Sequence, residues 1–224
     1  MNFMQWLNSL DELLFEVISW IVFFPVTLWK ALRHPLAIME ATEAELQKPD
    51  DEQFTRVLSP PLFLVIALLI SHALELAVVG DNPIVGDHHG LAGLVNDNGS
   101  LLLLRLIVFS VFPIIFATRL VRARHDPLDR ATLKAPFYAQ CFLVAPFSLA
   151  LSIGSVFMRD YGVPLAPLVG LALILGALIS YGLVQSLWFA RKLDRRLFVG
   201  FGQASIAMVE SLAVHIPLLY LFAL

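Results

Sequence analysis

The stretch LSPPLFLVIALLISHALELAVV, residues 58–79, decides the fold class. After Ser59 and its two prolines, only Ser71, His72 and Glu75 interrupt the apolar run. A helix rises about 1.5 Å per residue, so about 20 such residues cross the roughly 30 Å hydrocarbon core of a bilayer. The run lacks the alternation of polar and apolar residues that a transmembrane β-strand shows. In lipid, the backbone N–H and C=O groups must form their hydrogen bonds within the segment itself. It therefore predicts a transmembrane α-helix, with Ser59 as its N-cap.

Four further stretches meet the same test of length and apolarity: residues 101–120, 136–158, 164–190 and 204–224. The whole chain is 58% hydrophobic and only 15% charged, whereas soluble domains contain roughly 45–50% apolar and 25% charged residues. We therefore predict an all-α, polytopic transmembrane bundle. Its membrane domain, residues 60–224, has about five spans.

Residues 1–35 have a different pattern. Apolar residues recur at helical spacing from Leu7 to Ile21, opposite the acidic Asp11, Glu12 and Glu16, which predicts an amphipathic helix. Pro25 interrupts the apolar part, which favours an interfacial or re-entrant element. The alternative is a sixth span over residues 13–29. Residues 36–59 are polar and are predicted to form a cytoplasmic linker.

The basic residues indicate the orientation of the spans. Thirteen of the fifteen Lys and Arg residues lie before the first span or in the second and fourth loops, and the loop 80–100 has none. Because cytoplasmic loops carry the excess of basic residues, we expect these loops in the cytoplasm and the C-terminus outside. Eleven arginines against four lysines, with no sorting signal, favour a bacterial inner membrane.

Five ionisable residues lie within the predicted spans: His72, Glu75, Arg105, Glu210 and His215. Such residues are costly in lipid, so each is a candidate for function or for a structural pair. Glu75 and Arg105 fall at similar depth, which predicts an ion pair between them. If the first and last spans are neighbours, the histidines and glutamates would instead form a ladder of titratable groups suited to a proton relay.

Two further patterns have competing interpretations. Ala172, Gly176 and Ser180 form a small-residue stripe, for which packing within the bundle is the favoured interpretation and self-association the alternative. Asp87, His88 and His89 in an outer loop could bind a divalent metal. Adjacent residues rarely serve one ion, so a solvated loop is the preferred interpretation. We expect no metal and no other cofactor.

Other classes of function lack support in the sequence. The net charge of -3 and the scattered basic residues argue against binding nucleic acid. No nucleophile elbow, Walker A loop, HExxH or dinucleotide fingerprint occurs, so we expect no enzymatic activity. An intramembrane enzyme built on His72 and His215 would require a bound metal.

The plan of a polar N-terminal segment, five closely spaced spans entered through LSPPLFL (residues 58–64), and a short outer C-terminus resembles the Yip domain family. The resemblance covers about residues 59–224. It implies a five-helix membrane bundle, linked in eukaryotes to Rab GTPases and vesicle traffic, whereas bacterial members are often loosely called permeases. The tyrosine-glycine-proline stretch of eukaryotic members is missing, so no GTPase partner is carried over.

Two functions follow as hypotheses. The first is a non-enzymatic component that organises or accompanies membrane proteins, with the bilayer, further copies of itself or other membrane proteins as partners. The second is a small permease or ion-coupled transporter subunit that uses the five ionisable residues of the spans.

Overall fold

The computed structural model describes residues 3–80, 97–159 and 163–223. Every regular element in these ranges is helical, which confirms the predicted fold class. Within the described residues, seven α-helices and one short 3-10 helix (Asp50–Glu52) follow one another. The α-helices are α1 (Phe3–Arg33), α2 (Pro35–Glu45), α3 (Pro60–Val79), α4 (Asn98–Ala123), α5 (Arg130–Phe157), α6 (Ala166–Lys192) and α7 (Leu197–Ala223).

Within the described ranges, six helices are long and apolar enough to cross a membrane. Five of them, α3 to α7, correspond to the predicted spans. The sixth is the Asp11–Arg33 part of α1, so the alternative interpretation of the N-terminal segment also satisfies length and composition. The interruption expected at Pro25 is absent, because α1 continues through this residue as one helix.

Helix α5 forms the centre of the bundle. It packs against α3, α4 and α6, and α1 and α2 also contact it. In its most apolar 18-residue window 61% of the residues are buried, compared with 11% in α6. The core around α5 is aromatic: Phe63 and Phe142 lie with ring centroids 6.0 Å apart, and Phe147 stacks on Tyr181 at 4.5 Å.

Glycines allow the backbones of α5, α6 and α7 to approach closely. A Cβ atom added at Gly170 would lie 2.6 Å from the carbonyl oxygen of Gly154, so α5 and α6 touch at these two residues. Gly200 brings the start of α7 against the backbone of Ser186 and Ala190 in the same way. These three glycines, and not the small-residue stripe, provide the close helix packing within the bundle.

The stripe of Ala172, Gly176 and Ser180 lies on an exposed face of α6, and its Ser180 end borders a cavity shared with α1 and α5. All three residues are exposed, and a Cβ atom added at Gly176 would meet no atom within 4 Å. The favoured prediction that this stripe packs within the bundle is therefore wrong. Sequence spacing placed the three residues on one face but could not tell which face of α6 the neighbouring helices cover.

Helices α1 and α2 contact the bundle near its basic end, where Glu40 and Glu43 of α2 pair with Arg191 and Lys192 of α6. Helix α1 touches the bundle through its C-terminal half, where Phe24 contacts Phe63 and the Thr27 hydroxyl accepts a hydrogen bond from the Leu58 N–H at 3.0 Å. The segment predicted to be a polar linker contains α2, whose Met39 and Thr42 are fully buried against the bundle.

Candidate functional site

The predicted ionisable residues are distributed between two clusters, both anchored on α4. The outer cluster contains Glu75, Arg105 and Arg159 from α3, α4 and the end of α5. The inner cluster contains Arg119 of α4 with Gln203 and Glu210 of α7. Arg105 and Arg119 are 14 residues apart in one helix, so the clusters are separated by about 21 Å along α4.

The outer cluster is a three-way ion pair. The Arg105 guanidinium donates to one oxygen of the Glu75 carboxylate, as the matching depths of the two residues predicted. Arg159 lies 3.6 Å from the other oxygen and comes from a position that sequence reasoning assigned only to a loop. The Glu75 and Arg105 side chains are 13% and 18% exposed. Two cations face one anion, so these three side chains carry a formal charge of +1.

A cavity of about 350 Å³ adjoins these charged groups between α3, α4 and α5. Three serines contribute to its lining, Ser71 from α3 and Ser152 and Ser155 from α5. The Ser71 and Ser155 hydroxyls donate to backbone carbonyls one turn earlier in their own helices, which satisfies their protons inside an apolar bundle. The cavity therefore combines guanidinium and hydroxyl groups with apolar walls, a composition suited to a small anionic or polar ligand.

His72 lies one turn from Glu75 on α3 and is 7% exposed. Both of its ring nitrogens are buried, and the backbone of Asn98 at the start of α4 is a polar neighbour of the ring. Its placement near the outer cluster follows from the i, i+3 spacing that the sequence predicted.

The inner cluster joins α4 to α7. The Arg119 Nε atom donates to the Gln203 Oε1 atom at 2.7 Å, and its Nη1 atom lies 3.4 Å from the Glu210 carboxylate. Gln203 and Glu210 are seven residues apart and therefore share one face of α7. Sequence reasoning found Glu210 but missed Gln203, and it counted Arg119 only as a basic residue at the end of a span.

His215 forms a separate contact between α7 and α4. Its Nδ1 atom lies 2.7 Å from the carbonyl oxygen of Ser211, and its Nε2 atom lies 3.0 Å from that of Val108. Its ring also packs against Phe112, with centroids 4.5 Å apart. The last span, α7, therefore packs against α4 and α6. His215 contacts the backbone of α4, and Glu210 contacts Arg119 of α4.

Two buried glutamines connect α5 and α6 near the centre of the bundle. The amides of Gln140 and Gln185 donate to each other at 3.1 Å and 2.5 Å, and both side chains are fully buried. This reciprocal pair satisfies one donor and one acceptor of each amide inside the apolar bundle.

The proposed metal ligands Asp87, His88 and His89 lie outside the described residues. Among residues 3–80, 97–159 and 163–223, no group of three or more His, Cys, Asp or Glu side chains is arranged to hold a metal ion.

Comparison with protein-family models, curated protein sequences and solved structures gives no match. The resemblance to the Yip domain family therefore stays a prediction, and the functional argument depends on this chain's own geometry.

Proposed function

We propose that the protein is a non-enzymatic integral membrane protein that assembles with a second copy of itself through α6, and so acts as an organising or accessory subunit in the membrane. The observation that carries this proposal is the outward orientation of Ala172, Gly176 and Ser180. Small residues at this spacing let two helix backbones approach closely in lipid, where packing replaces the hydrophobic effect as the source of association. Helix α6 is also little covered by its own bundle.

The arrangement of the charged residues supports a structural role for them. Glu75 is held by Arg105 and Arg159, and Glu210 by Arg119. The two clusters are about 21 Å apart along α4, much farther than one proton transfer between hydrogen-bonded groups can reach. Ion pairs between helices fix helix packing in a bundle. His215 contacts α4 between the two clusters, at Val108 and Phe112, and its ring nitrogens lie against backbone carbonyls and not against either cluster.

The proposed setting is a bacterial inner membrane, with the basic ends of the helices in the cytoplasm and the C-terminus outside. The distribution of Lys and Arg supports this orientation. We place α1 at the cytoplasmic interface, because its residues 11–18 are exposed and its packing against the bundle begins at Trp20. A cysteine at Asp11 tests this placement: a membrane-impermeant thiol reagent added outside intact cells should leave it unlabelled, and labelling from outside would show that α1 spans the membrane.

Association in lipid vesicles tests the proposed assembly. Donor-labelled and acceptor-labelled protein should show energy transfer that rises with the protein-to-lipid ratio. Gly176→Leu should weaken it, because the larger side chain separates the two copies of α6. Gly202→Leu is the matched control, since Gly202 of α7 also lies in open space. Equal energy transfer in all three proteins would refute assembly through the stripe.

The cavity beside Glu75 favours a second candidate, a small permease for an anionic or polar solute. Two arginines and three serines lining a cavity of about 350 Å³ are the specific observation. Proteoliposomes loaded with a panel of small organic anions test it. A permease would be supported if the wild-type protein shows flux and if Glu75→Gln and Arg105→Gln each abolish it while remaining folded. The absence of flux by the wild-type protein across the panel would count against a permease.

A further inference from the structure

A second cavity, of about 370 Å³, lies at the basic end of the bundle between the end of α1, helix α2 and the segment that precedes α3. Its volume falls in the range of about 300–1,000 Å³ that is typical of small-molecule sites. Ile38, Val57 and Phe142 give it apolar walls. Ala37 and Ala41, one turn apart on α2, also line it, and their short side chains leave the space open.

Basic residues line the same cavity. Lys30, His34 and Arg56 all contribute to it, and the Lys30 Nζ atom donates to the Arg56 carbonyl oxygen at 3.3 Å. The carboxylate among the lining residues, Glu45, already accepts hydrogen bonds from the Lys48 Nζ atom at 2.5 Å and from the Phe54 N–H at 2.9 Å. Its charge is thus offset within the protein. Arg56 also acts electrostatically on Glu45, and Lys30 and Arg56 together outnumber this one carboxylate in the lining of the cavity.

The wall formed by Phe54 has an unusual backbone. Phe54 has a φ of 54°, in the left-handed region that a bulky aromatic residue rarely adopts. The bond from its N–H to Glu45 holds it there, and its ring packs against Tyr138 and Phe142 at centroid distances of 6.3 Å and 6.4 Å. Backbone conformations of this kind concentrate at ligand sites, where the surrounding structure maintains them.

We propose that this cavity binds one anionic phospholipid, with part of an acyl chain against the apolar walls and the phosphate near Lys30 and Arg56. Apolar walls favour a hydrocarbon chain because burying it releases it from water. Basic residues at the end of a membrane bundle favour an anionic headgroup. A free phosphate would leave the apolar volume unused, and a neutral lipid would leave the cations without a partner.

Native mass spectrometry of the purified full-length protein tests the proposal, with phosphatidylglycerol and phosphatidylcholine as competing lipids and inorganic phosphate and glycerol phosphate as chain-free ligands. The wild-type protein should retain phosphatidylglycerol in preference to phosphatidylcholine. Removing one basic residue should weaken this binding roughly 5-fold, and Lys30→Ala with Arg56→Ala together roughly 25-fold. Ala41→Leu should block binding by filling the cavity, while Ala41→Ser should preserve it.

The matched charge control is the pair Arg124→Ala and Arg195→Ala, which removes two cations from a different cavity at the ends of α4 and α6. An equal loss of binding in the two charge pairs would overturn the proposal in favour of general electrostatic attraction. If inorganic phosphate or glycerol phosphate displaced the bound lipid as well as competing phosphatidylglycerol does, this result would overturn the role of the acyl chain. Unchanged lipid binding by Ala41→Leu, in a variant that remains folded, would overturn the assignment to this cavity.

Discussion

Replacing Glu75, Arg105 or both with leucine measures how strongly the outer cluster holds α3 to α4. Each single change removes one partner of a pair whose side chains are 13% and 18% exposed. Breaking a buried pair costs about 3–5 kcal/mol, because a charge is left without its partner, whereas an exposed pair contributes about 0–1 kcal/mol. For this mostly buried pair we expect each single variant to lose about 2–4 kcal/mol in the free energy of unfolding.

The double variant should be less destabilised than the sum of the two single variants. Both charges of the close pair are then absent, and Arg159 can extend toward water from the end of α5. The resulting coupling energy should be about 2 kcal/mol, within the range measured for residues in contact. Arg159→Leu is the control: its side chain is 41% exposed and lies 3.6 Å from Glu75, so it should cost less than about 1 kcal/mol.

Reversible unfolding in mixed micelles with a rising mole fraction of dodecyl sulfate, followed by far-ultraviolet circular dichroism, supplies these free energies. The reasoning would be refuted if Glu75 and Arg105 showed a coupling below about 0.5 kcal/mol, or if Arg159→Leu cost as much as Arg105→Leu. Either result would mean that the cluster does not hold the helices as its geometry indicates.

Three further predictions concern packing, capping and pH. Gly170→Ala should lower the detergent melting temperature, because its Cβ would lie 2.6 Å from a backbone oxygen of α5, whereas Gly182→Ala, in open space, should not. Asp129→Ala removes the capping-box side chain that starts α5 and should cost about 1 kcal/mol of stability in the same melting assay. The hydrogen bond from Lys48 lowers the pKa of Glu45, so the stabilisation from this carboxylate is present above its ordinary pKa of 4.5 and lost as the pH falls through the lower folded value. Glu45→Gln should flatten the decline in melting temperature below about pH 4.5, and an unchanged decline would contradict this assignment.

Much of the fold could be predicted because lipid restricts the choices. Length and hydropathy identify α3 to α7 without knowledge of their contacts, since a spanning segment must satisfy its own backbone. Depth along the helix was enough to predict the pair of Glu75 and Arg105, because two consecutive spans leave and re-enter the membrane on the same side. Pro25 was misleading: it removes one backbone N–H, yet α1 continues through it.

The sequence could not show which neighbouring helix, or lipid, each face of a helix contacts. Spacing places Ala172, Gly176 and Ser180 together but does not say whether α5, α7 or lipid covers them. Arg119 reaches Gln203 and Glu210 because α7 packs on α4, and that neighbour relation is absent from any local pattern. Contacts between helices that are distant in sequence thus decide which polar residues meet.

The most direct test of the proposed assembly is disulfide cross-linking of Gly176→Cys in native membranes. Cys141, the one natural cysteine, is fully buried, so the new thiol would be the accessible one. An oxidant should produce a covalent dimer from Gly176→Cys and little or none from Val209→Cys, which is 65% exposed on α7. Cross-linking at equal yield from both positions, or at neither, would contradict assembly through α6.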